Sequence, residues 1–142
     1  MPERETLERA ERDREEGKSP STQAGEFVRE EMHHIREGKH GAKNAKQAIA
    51  IGLSKARRAG VKTGKPKGKG AQKKARQDSA RRGRKPSASR SRGASKALKR
   101  QGKSAGSKRS LSRQAKGAAR RRSSSSRSAA ARKAARTRAR RR

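Results

Sequence analysis

The stretch STQAGEFVREEMHHIREGKHGAKNAKQAIAIGLSKARRAG, residues 21–60, decides the fold, because most of the large apolar side chains lie in it. It contains the only aromatic residue, Phe27, and every isoleucine of the chain. Outside it, large apolar side chains occur singly, so no other segment has enough of them to form a core. We therefore expect whatever core the chain has to form here.

The pattern of this stretch predicts two α-helices. In the first, which we expect to have Ser21 or Thr22 as its N-cap, apolar residues recur at spacings of three and four. In the second, Asn44 and Gln47 form a capping-box pattern, and Gly60 marks the end. The predicted core of this helical hairpin consists of Phe27, Val28, Met32, Ile35, Ile49 and Leu53.

Composition argues against any larger core. Only 25% of the 142 residues are hydrophobic and 1% are aromatic, while the formal net charge is +33. Such a chain buries too little apolar surface to offset the entropy of ordering. We therefore expect a mostly disordered protein in three parts: a charged N-terminal arm (residues 1–20), a small all-α helical hairpin (about residues 21–60) and a disordered Lys/Arg/Ser/Ala-rich basic tail (residues 61–142).

The N-terminal arm is predicted to form at most a solvated, frayed helix. In ERETLERAERDREE, residues 3–16, opposite charges recur at a spacing of four, as in Arg4 and Glu8, which supports a helix. Only Leu7 and Ala10 are apolar, however. The arm therefore offers no wide apolar face with which to dock.

The distribution of charge points to a polyanionic partner. Residues 61–142 contain thirty-two of the 45 Lys and Arg residues and one acid, Asp78, and they change from mainly Lys to mainly Arg towards the end. Arginine pairs bidentately with phosphate, so we expect the distal part to bind it more tightly. The residues predicted to bind nucleic acid are Arg81, Arg82, Arg84, Lys85, Arg120, Arg121, Arg122, Arg132, Arg136, Arg138, Arg140, Arg141 and Arg142.

Two short motifs in the tail bear on specific binding. Arg81–Pro86, RRGRKP, resembles the AT-hook, whose Arg-Gly-Arg-Pro core lies extended in the minor groove of A·T-rich DNA. Lys85 separates Arg84 from Pro86, and an ordinary basic segment is the alternative. Residues 60–66, GVKTGKP, have too short a spacing between glycines for a phosphate loop, and Pro66 stands where a magnesium-binding hydroxyl is needed.

No residue pattern predicts catalysis, a cofactor or a metal. The histidines His33, His34 and His40 occur without cysteine, without an HExxH motif and without a second ligand cluster. We therefore expect them to be solvated side chains on a polar face. No nucleophile and base are held on a rigid scaffold, so the chain is predicted not to be an enzyme.

Two segments of the chain resemble known protein families. Residues 26–60, with QAIAIGLSKARRAG (Gln47–Gly60) as the most specific part, resemble a short bacterial domain of unknown function, which implies no particular activity. That family has an acidic first helix, a Gly/His/Lys connector and a second helix of this pattern. The tail is similar in composition to bacterial linker-histone-like proteins, which condense DNA. This similarity implies a cytoplasmic protein of the bacterial nucleoid.

The sequence thus predicts non-enzymatic, largely sequence-independent DNA binding, with compaction of DNA as a further expectation and RNA as the other candidate ligand. The lack of Tyr and Trp argues against stacking on single strands. The alternative is a helical protein-interaction module with an RNA- or ribosome-binding tail. We expect no membrane association, since no apolar span is present. We also expect the hairpin to self-associate, because two helices alone leave its apolar residues half covered.

Overall fold

The computed structural model describes residues 1–140, and within them the protein is all-helical. The elements are α1 (Arg4–Glu15), α2 (Pro20–Glu37), α3 (Ala45–Arg58), α4 (Lys69–Ala80), α5 (Ala88–Lys99), a 3₁₀ helix (Ser104–Gly106), α6 (Lys108–Arg120) and α7 (Ser124–Ala139). They fall into two compact units, Met1–Ser107 and a second that begins at Lys108. None of these helices has the length and apolar character needed to span a bilayer.

α2 and α3 form the predicted helical hairpin, but α2 begins earlier than predicted. Ser19, not Ser21 or Thr22, is its N-cap, and the N–H of Thr22 donates to the Ser19 hydroxyl at 3.4 Å. Pro20 is the first helical residue. Proline suits this position because its fixed φ is helical and its missing N–H would have no helical partner.

The caps of α3 follow the prediction closely. The N–H of Gln47 donates to Asn44 Oδ1 at 2.9 Å, so Asn44 is the N-cap. The Gln47 side chain accepts from the N–H of Lys43 at 2.7 Å, one residue earlier than in a capping box. Gly38 ends α2 with a φ of 82°, and Gly60 follows α3 with a φ of 94°. Both are left-handed conformations that glycine adopts without a Cβ clash.

The hairpin core is made differently on its two sides. Of the predicted core residues, Phe27, Met32 and Ile35 of α2 are buried, whereas Val28, Ile49 and Leu53 are only partly buried. The buried residues of α3 are small: Ala45, Ala48, Gly52 and Ala56. A Cβ built at Gly52 would lie 2.7 Å from the Cα of Val28. The small size of the side chains on this face, with none at Gly52, lets the two helix backbones approach closely.

The prediction that the N-terminal arm does not dock is wrong. α1 packs on α2 and buries Thr6, Ala10 and Asp13, which lie one above another on one helix face. Arg9 Nε donates to Glu26 Oε2 at 2.7 Å and joins the two helices beside this contact. The docking face is built from small side chains and ion pairs, so an apolar stripe was not required.

The prediction of a disordered tail is also wrong for residues 61–107. α4 packs on α3, and the N–H of Gly83 donates to the carbonyl oxygen of Arg58 at 3.4 Å. Further along, the N–H of Gly41 donates to the Leu98 carbonyl at 3.0 Å, and that of Ala42 donates to the Gly102 carbonyl at 3.1 Å. These backbone contacts need little apolar side-chain area, which is why composition did not reveal them.

The 3₁₀ helix covers one end of the hairpin core. Arg36 Nε donates to the Gly106 carbonyl at 2.8 Å, and a Cβ built at Gly106 would lie 3.0 Å from Cγ2 of Ile35. Phe27 and Met32 are also covered, with exposed fractions of 0% and 5%. The chain itself therefore covers the flanks of Phe27 and Met32, and the reason for expecting self-association does not hold for them.

In the second unit, α6 and α7 replace the rest of the predicted disordered tail. The N–H of Ser126 donates to the Ser123 hydroxyl at 3.3 Å, which caps α7. Both helices are rich in Ala, Arg and Lys, which are strong helix formers. Neither buries a described residue. Local helix propensity, together with the Ser123 cap of α7, favours their helical structure.

Candidate nucleic-acid interface

The only acid of the basic tail is withdrawn from solvent. Asp78 on α4 is 0% exposed and lies beneath three cations. Its Oδ1 is 3.4 Å from Arg58 Nη2 and 3.5 Å from Lys74 Nζ, and its Oδ2 is 3.9 Å from Arg57 Nη1. The pairs with Arg57 and Arg58 join α4 to the end of α3, whereas the pair with Lys74 lies within α4. They also mean that no acidic side chain of residues 61–140 faces solvent.

A cavity of about 550 Å³ opens beside this contact, between the segment that follows α3 and the side of α4. We call it the basic cavity, because the charged residues that line it are all cations: Arg57, Lys62, Lys65, Arg76 and Arg82. Arg57 is also held by the Thr63 hydroxyl, to which its Nε donates at 2.8 Å. The GVKTGKP segment, which does not match a phosphate loop in sequence, thus forms one wall of a positively charged cavity.

The segment that resembles an AT-hook is not extended at residues 81–83. Residues 81–83 form a turn at the end of α4, and Gly83 has a φ of 70°. Arg82 folds back over Gly60, where a Cβ would lie 2.6 Å from Arg82 Nε. Arg81, Arg84 and Lys85 are exposed. The structure therefore places Arg82 in the basic cavity, not in a minor-groove hook that needs extended backbone.

The remaining predicted binding residues lie in the second unit, apart from two that the structure does not describe. Arg120 ends α6, and Arg121 and Arg122 follow it. The others are on α7 or at its C-cap: Arg132, Arg136, Arg138 and Arg140. All of these side chains are exposed, and no Asp or Glu follows Asp78 in the sequence. Arg141 and Arg142 lie outside the described residues.

A second cluster of charged groups lies on the other side of the hairpin. Glu30 and Glu31 of α2 are buried, and Lys55 of α3 reaches both: its Nζ lies 2.9 Å from Glu30 Oε1 and 2.9 Å from Glu31 Oε2. Burial opposes a charge on Lys55, but the two carboxylates outweigh it and raise the pKa of Lys55. Burial also opposes the charge on Glu30 and would raise its pKa, but pairing with Lys55 outweighs burial and lowers the pKa of Glu30.

Two of the histidines belong to this cluster, so the prediction that all three are solvated is wrong. His33 is exposed, but the side chains of His34 and His40 are only 12% and 16% exposed. Glu3 Oε1 is 2.8 Å from His34 Nε2 and 3.0 Å from Lys39 Nζ. The hydrogen bonds from His34 and Lys39 lower the pKa of Glu3 to about 2.

The sequence did not predict either cluster, because each joins residues that are distant in the sequence. In the sequence, Arg57 lies near the end of the second predicted helix and Lys62 in the basic tail, while Glu30 and Glu31 lie in the first predicted helix. One signal was available for the first cluster: Asp78 is a single acid among thirty-two Lys and Arg residues. A lone opposite charge in such a segment is well placed to organise the cations around it.

Comparison with protein-family models, with curated proteins and with solved structures finds no match for this chain. The resemblances stated from sequence therefore stay predictions.

Proposed function

We propose that this protein binds nucleic acid, with duplex DNA as the favoured ligand, through the phosphate backbone and without sequence preference. The observation that carries the proposal is the burial of Asp78. Because this acid is covered by cations, the acid-free exposed side chains after Gly60 present positive charge alone. Affinity then comes from release of the counterions condensed on the nucleic acid.

Two parts of the molecule would bind phosphates. The basic cavity offers Arg57, Arg76 and Arg82, whose planar guanidinium groups can each pair bidentately with a phosphate. α7 presents Arg132, Arg136 and neighbouring arginines on an exposed helix. Such contacts to phosphate position a protein on the duplex but carry no sequence information. The turn at residues 81–83 supports this choice over an A·T-specific hook.

The alternative, a helical protein-interaction module formed by the hairpin, stays a prediction. Its apolar residues Phe27, Met32 and Ile35 are buried under α1, α3 and the 3₁₀ helix. Val28, Ile49 and Leu53 are only partly buried, so an interaction through the hairpin would have to use these residues.

The test is the salt dependence of binding of the full chain to a mixed-sequence duplex, measured by fluorescence anisotropy. We expect affinity to fall steeply as salt rises, with a slope of about 0.9 for each phosphate neutralised. Changing Arg132, Arg136 and Arg138 together to Gln should reduce that slope by up to about 0.9 per arginine. An affinity of the parent protein that hardly changes with salt would refute the proposal.

A matched control variant distinguishes the effect of where the removed charges lie from the effect of total charge. Arg4, Arg12 and Arg14 lie on exposed positions of α1, among the acids of the N-terminal segment. Changing these three to Gln removes the same formal charge as the α7 variant. We expect the slope of this control to stay near that of the parent. Equal losses in both variants would mean that net charge alone, and not the basic part of the chain, determines binding.

A further inference from the structure

Glu31, His34 and His40 each offer one potential metal ligand, and these atoms all lie within 4.8 Å of one another. Glu31 and His34 are three residues apart on α2, so their side chains share a face of the helix. His40 lies in the connector that follows. The Glu31 side chain is 0% exposed: its Oε2 is paired with Lys55 Nζ at 2.9 Å, but its Oε1 accepts no well-aligned hydrogen bond from the described residues. A buried carboxylate oxygen without a hydrogen bond has lost its hydration and has not regained that free energy from the protein.

The hydrogen bonds of the two histidines direct a lone pair into the cluster. His40 Nδ1 is 3.1 Å from the Gly41 carbonyl oxygen, which can only accept, so Nδ1 is the donor. His34 Nε2 is 2.8 Å from a carboxylate oxygen of Glu3 and donates to it. In a neutral ring the other nitrogen then carries the lone pair. Metal-binding histidines have this arrangement, with the second ring nitrogen held by a carbonyl or a carboxylate.

The contact between His40 and Glu31 is the part of the cluster that most needs a cation. His40 Nε2 lies 3.2 Å from Glu31 Oε1. With the proton on Nδ1, two acceptors face each other at this distance, and only a proton or a metal ion between them makes the contact favourable. Two ligands at about 2.0–2.2 Å from a tetrahedral zinc ion are separated by about 3.4 Å. The observed distance is therefore close to that of a metal-bound pair.

We propose that Glu31, His34 and His40 bind a divalent transition-metal ion of the Zn²⁺ type, with a fourth position open to water. Two imidazoles and one carboxylate are donors that zinc accepts, and a site with three protein ligands keeps a fourth position free. Glu31 would bind through Oε1, because Lys55 occupies the side of Oε2. The three ligand atoms lie within 4.8 Å of one another, against about 3.4 Å between zinc ligands, so the side chains would have to close around the ion.

The surrounding charges favour a cation at this position. The carboxylates of Glu3, Glu30 and Glu31 face the ammonium groups of Lys39 and Lys55, which leaves one net negative charge before any ion is bound. A bound ion would join the connector to α2. The same connector receives the Leu98–Gly106 segment through Gly41 and Ala42, so the ion would also support that contact.

The test uses the full chain, freed of nucleic acid, and ZnCl₂ or CoCl₂ alone as the probe. We expect one equivalent of Zn²⁺ per chain by equilibrium dialysis and a rise in Tm with zinc concentration, because an ion that binds only the folded state stabilises it. Bound Co²⁺ should show the intense visible absorption of a tetrahedral site. The absence of stoichiometric binding, or an octahedral Co²⁺ spectrum identical to that of the free ion, would overturn the proposal.

Variants then locate the site. His40→Ala and Glu31→Gln should each lower zinc affinity by more than the ~10–100-fold that loss of an outer hydrogen-bond partner causes, and Glu3→Gln should lower it within that range. His33→Ala is the matched control, because His33 is exposed on the same helix. It should bind zinc as the parent does. Circular dichroism checks that each variant is folded. If one of these variants is unfolded, the Co²⁺ absorption spectrum of folded His34→Gln replaces it as the test. A spectrum unchanged from that of the parent refutes the site.

Discussion

Glu30 and Glu31 are consecutive residues of α2, and both of their side chains are buried. Consecutive positions of a helix point in directions about 100° apart, so two buried neighbours require cover from two sides. Glu3, the N-cap of α1, supplies one side: its N–H donates to Glu30 Oε2 at 3.0 Å. α3 supplies the other with Lys55. Glu30 and Glu31 are therefore the points at which α2, α3 and the residue before α1 meet.

Lys55 should consequently be among the residues most sensitive to substitution. Lys55→Met keeps the length of the side chain but leaves two buried carboxylates without their ammonium partner. We expect a loss of about 3–5 kcal/mol in the free energy of unfolding, the usual cost of breaking a buried pair on one side. Urea denaturation followed by circular dichroism measures it. Lys46→Met on the exposed face of α3 is the control, and similar losses for both would show that the buried pairing is unimportant.

At the scale of elements, small residues decide how closely helices pack. Gly52 allows the backbone of α3 to approach Val28, and Thr6 with Ala10 allows α1 to approach α2. Large apolar side chains are too few in this chain to separate the helices and fill the space between them. The helices are instead brought together until backbones are in contact, where dispersion contacts and ion pairs contribute.

Gly52→Ala tests this close approach. The added methyl would lie 2.7 Å from the Cα of Val28, which cannot move without shifting α2. We expect destabilisation by about 1–3 kcal/mol in urea denaturation, the usual cost of overpacking. Gly25→Ala on α2 is the control, since nothing lies within 4 Å of a Cβ there. It should raise stability by about 0.5–1 kcal/mol through helix propensity alone. A stabilising Gly52→Ala would contradict the packing described.

The elements differ in how well sequence predicted them, and the reason is the kind of contact that each makes. α2 and α3 were predicted because apolar periodicity and caps such as Asn44 are local signals. The docking of α1 was missed because its face consists of Thr6, Ala10 and Asp13, which no hydrophobic pattern registers. The order of residues 61–107 was missed because the contacts of Leu98 with Gly41 join backbone groups distant in sequence.

The candidate site was predicted only in part. Exposed arginines such as Arg136 follow directly from composition and charge. The basic cavity, however, joins Arg57 of the hairpin with Arg82 of the tail, and nothing in the local sequence of either indicates the other. The cluster around Glu31 likewise depends on the path of the connector that carries His40.

At the scale of the whole molecule, net charge opposes folding. A formal charge of +33 on 142 residues repels itself in any compact state. Ion pairs such as Arg9–Glu26 and Lys55–Glu30 act against this repulsion locally. Most cations after Gly60 have no acid to pair with, because only Asp78 occurs there. Repulsion among the unpaired cations should therefore be larger than the attraction within the few ion pairs.

This balance predicts that added salt stabilises the protein. Raising sodium chloride from about 0.01 M to about 0.15 M shortens the Debye length from about 30 Å to about 8 Å and weakens repulsion across the molecule. We expect the Tm of the full chain to rise over this range, as measured by circular dichroism. A falling Tm would mean that ion pairs such as Lys55–Glu30 contribute more than the repulsion that salt relieves.

The hydrogen bond from Arg36 to the Gly106 carbonyl spans 70 residues of sequence, and this separation bears on the order of folding. Contacts between distant parts of a chain form late, because the loop between them must first be closed at a cost in entropy. During synthesis the hairpin emerges well before the segment that covers its end. Loop closure also has to bring cations together. Polyanions present at that moment would lower this electrostatic barrier, so the ligand proposed for the finished protein would also accelerate its folding.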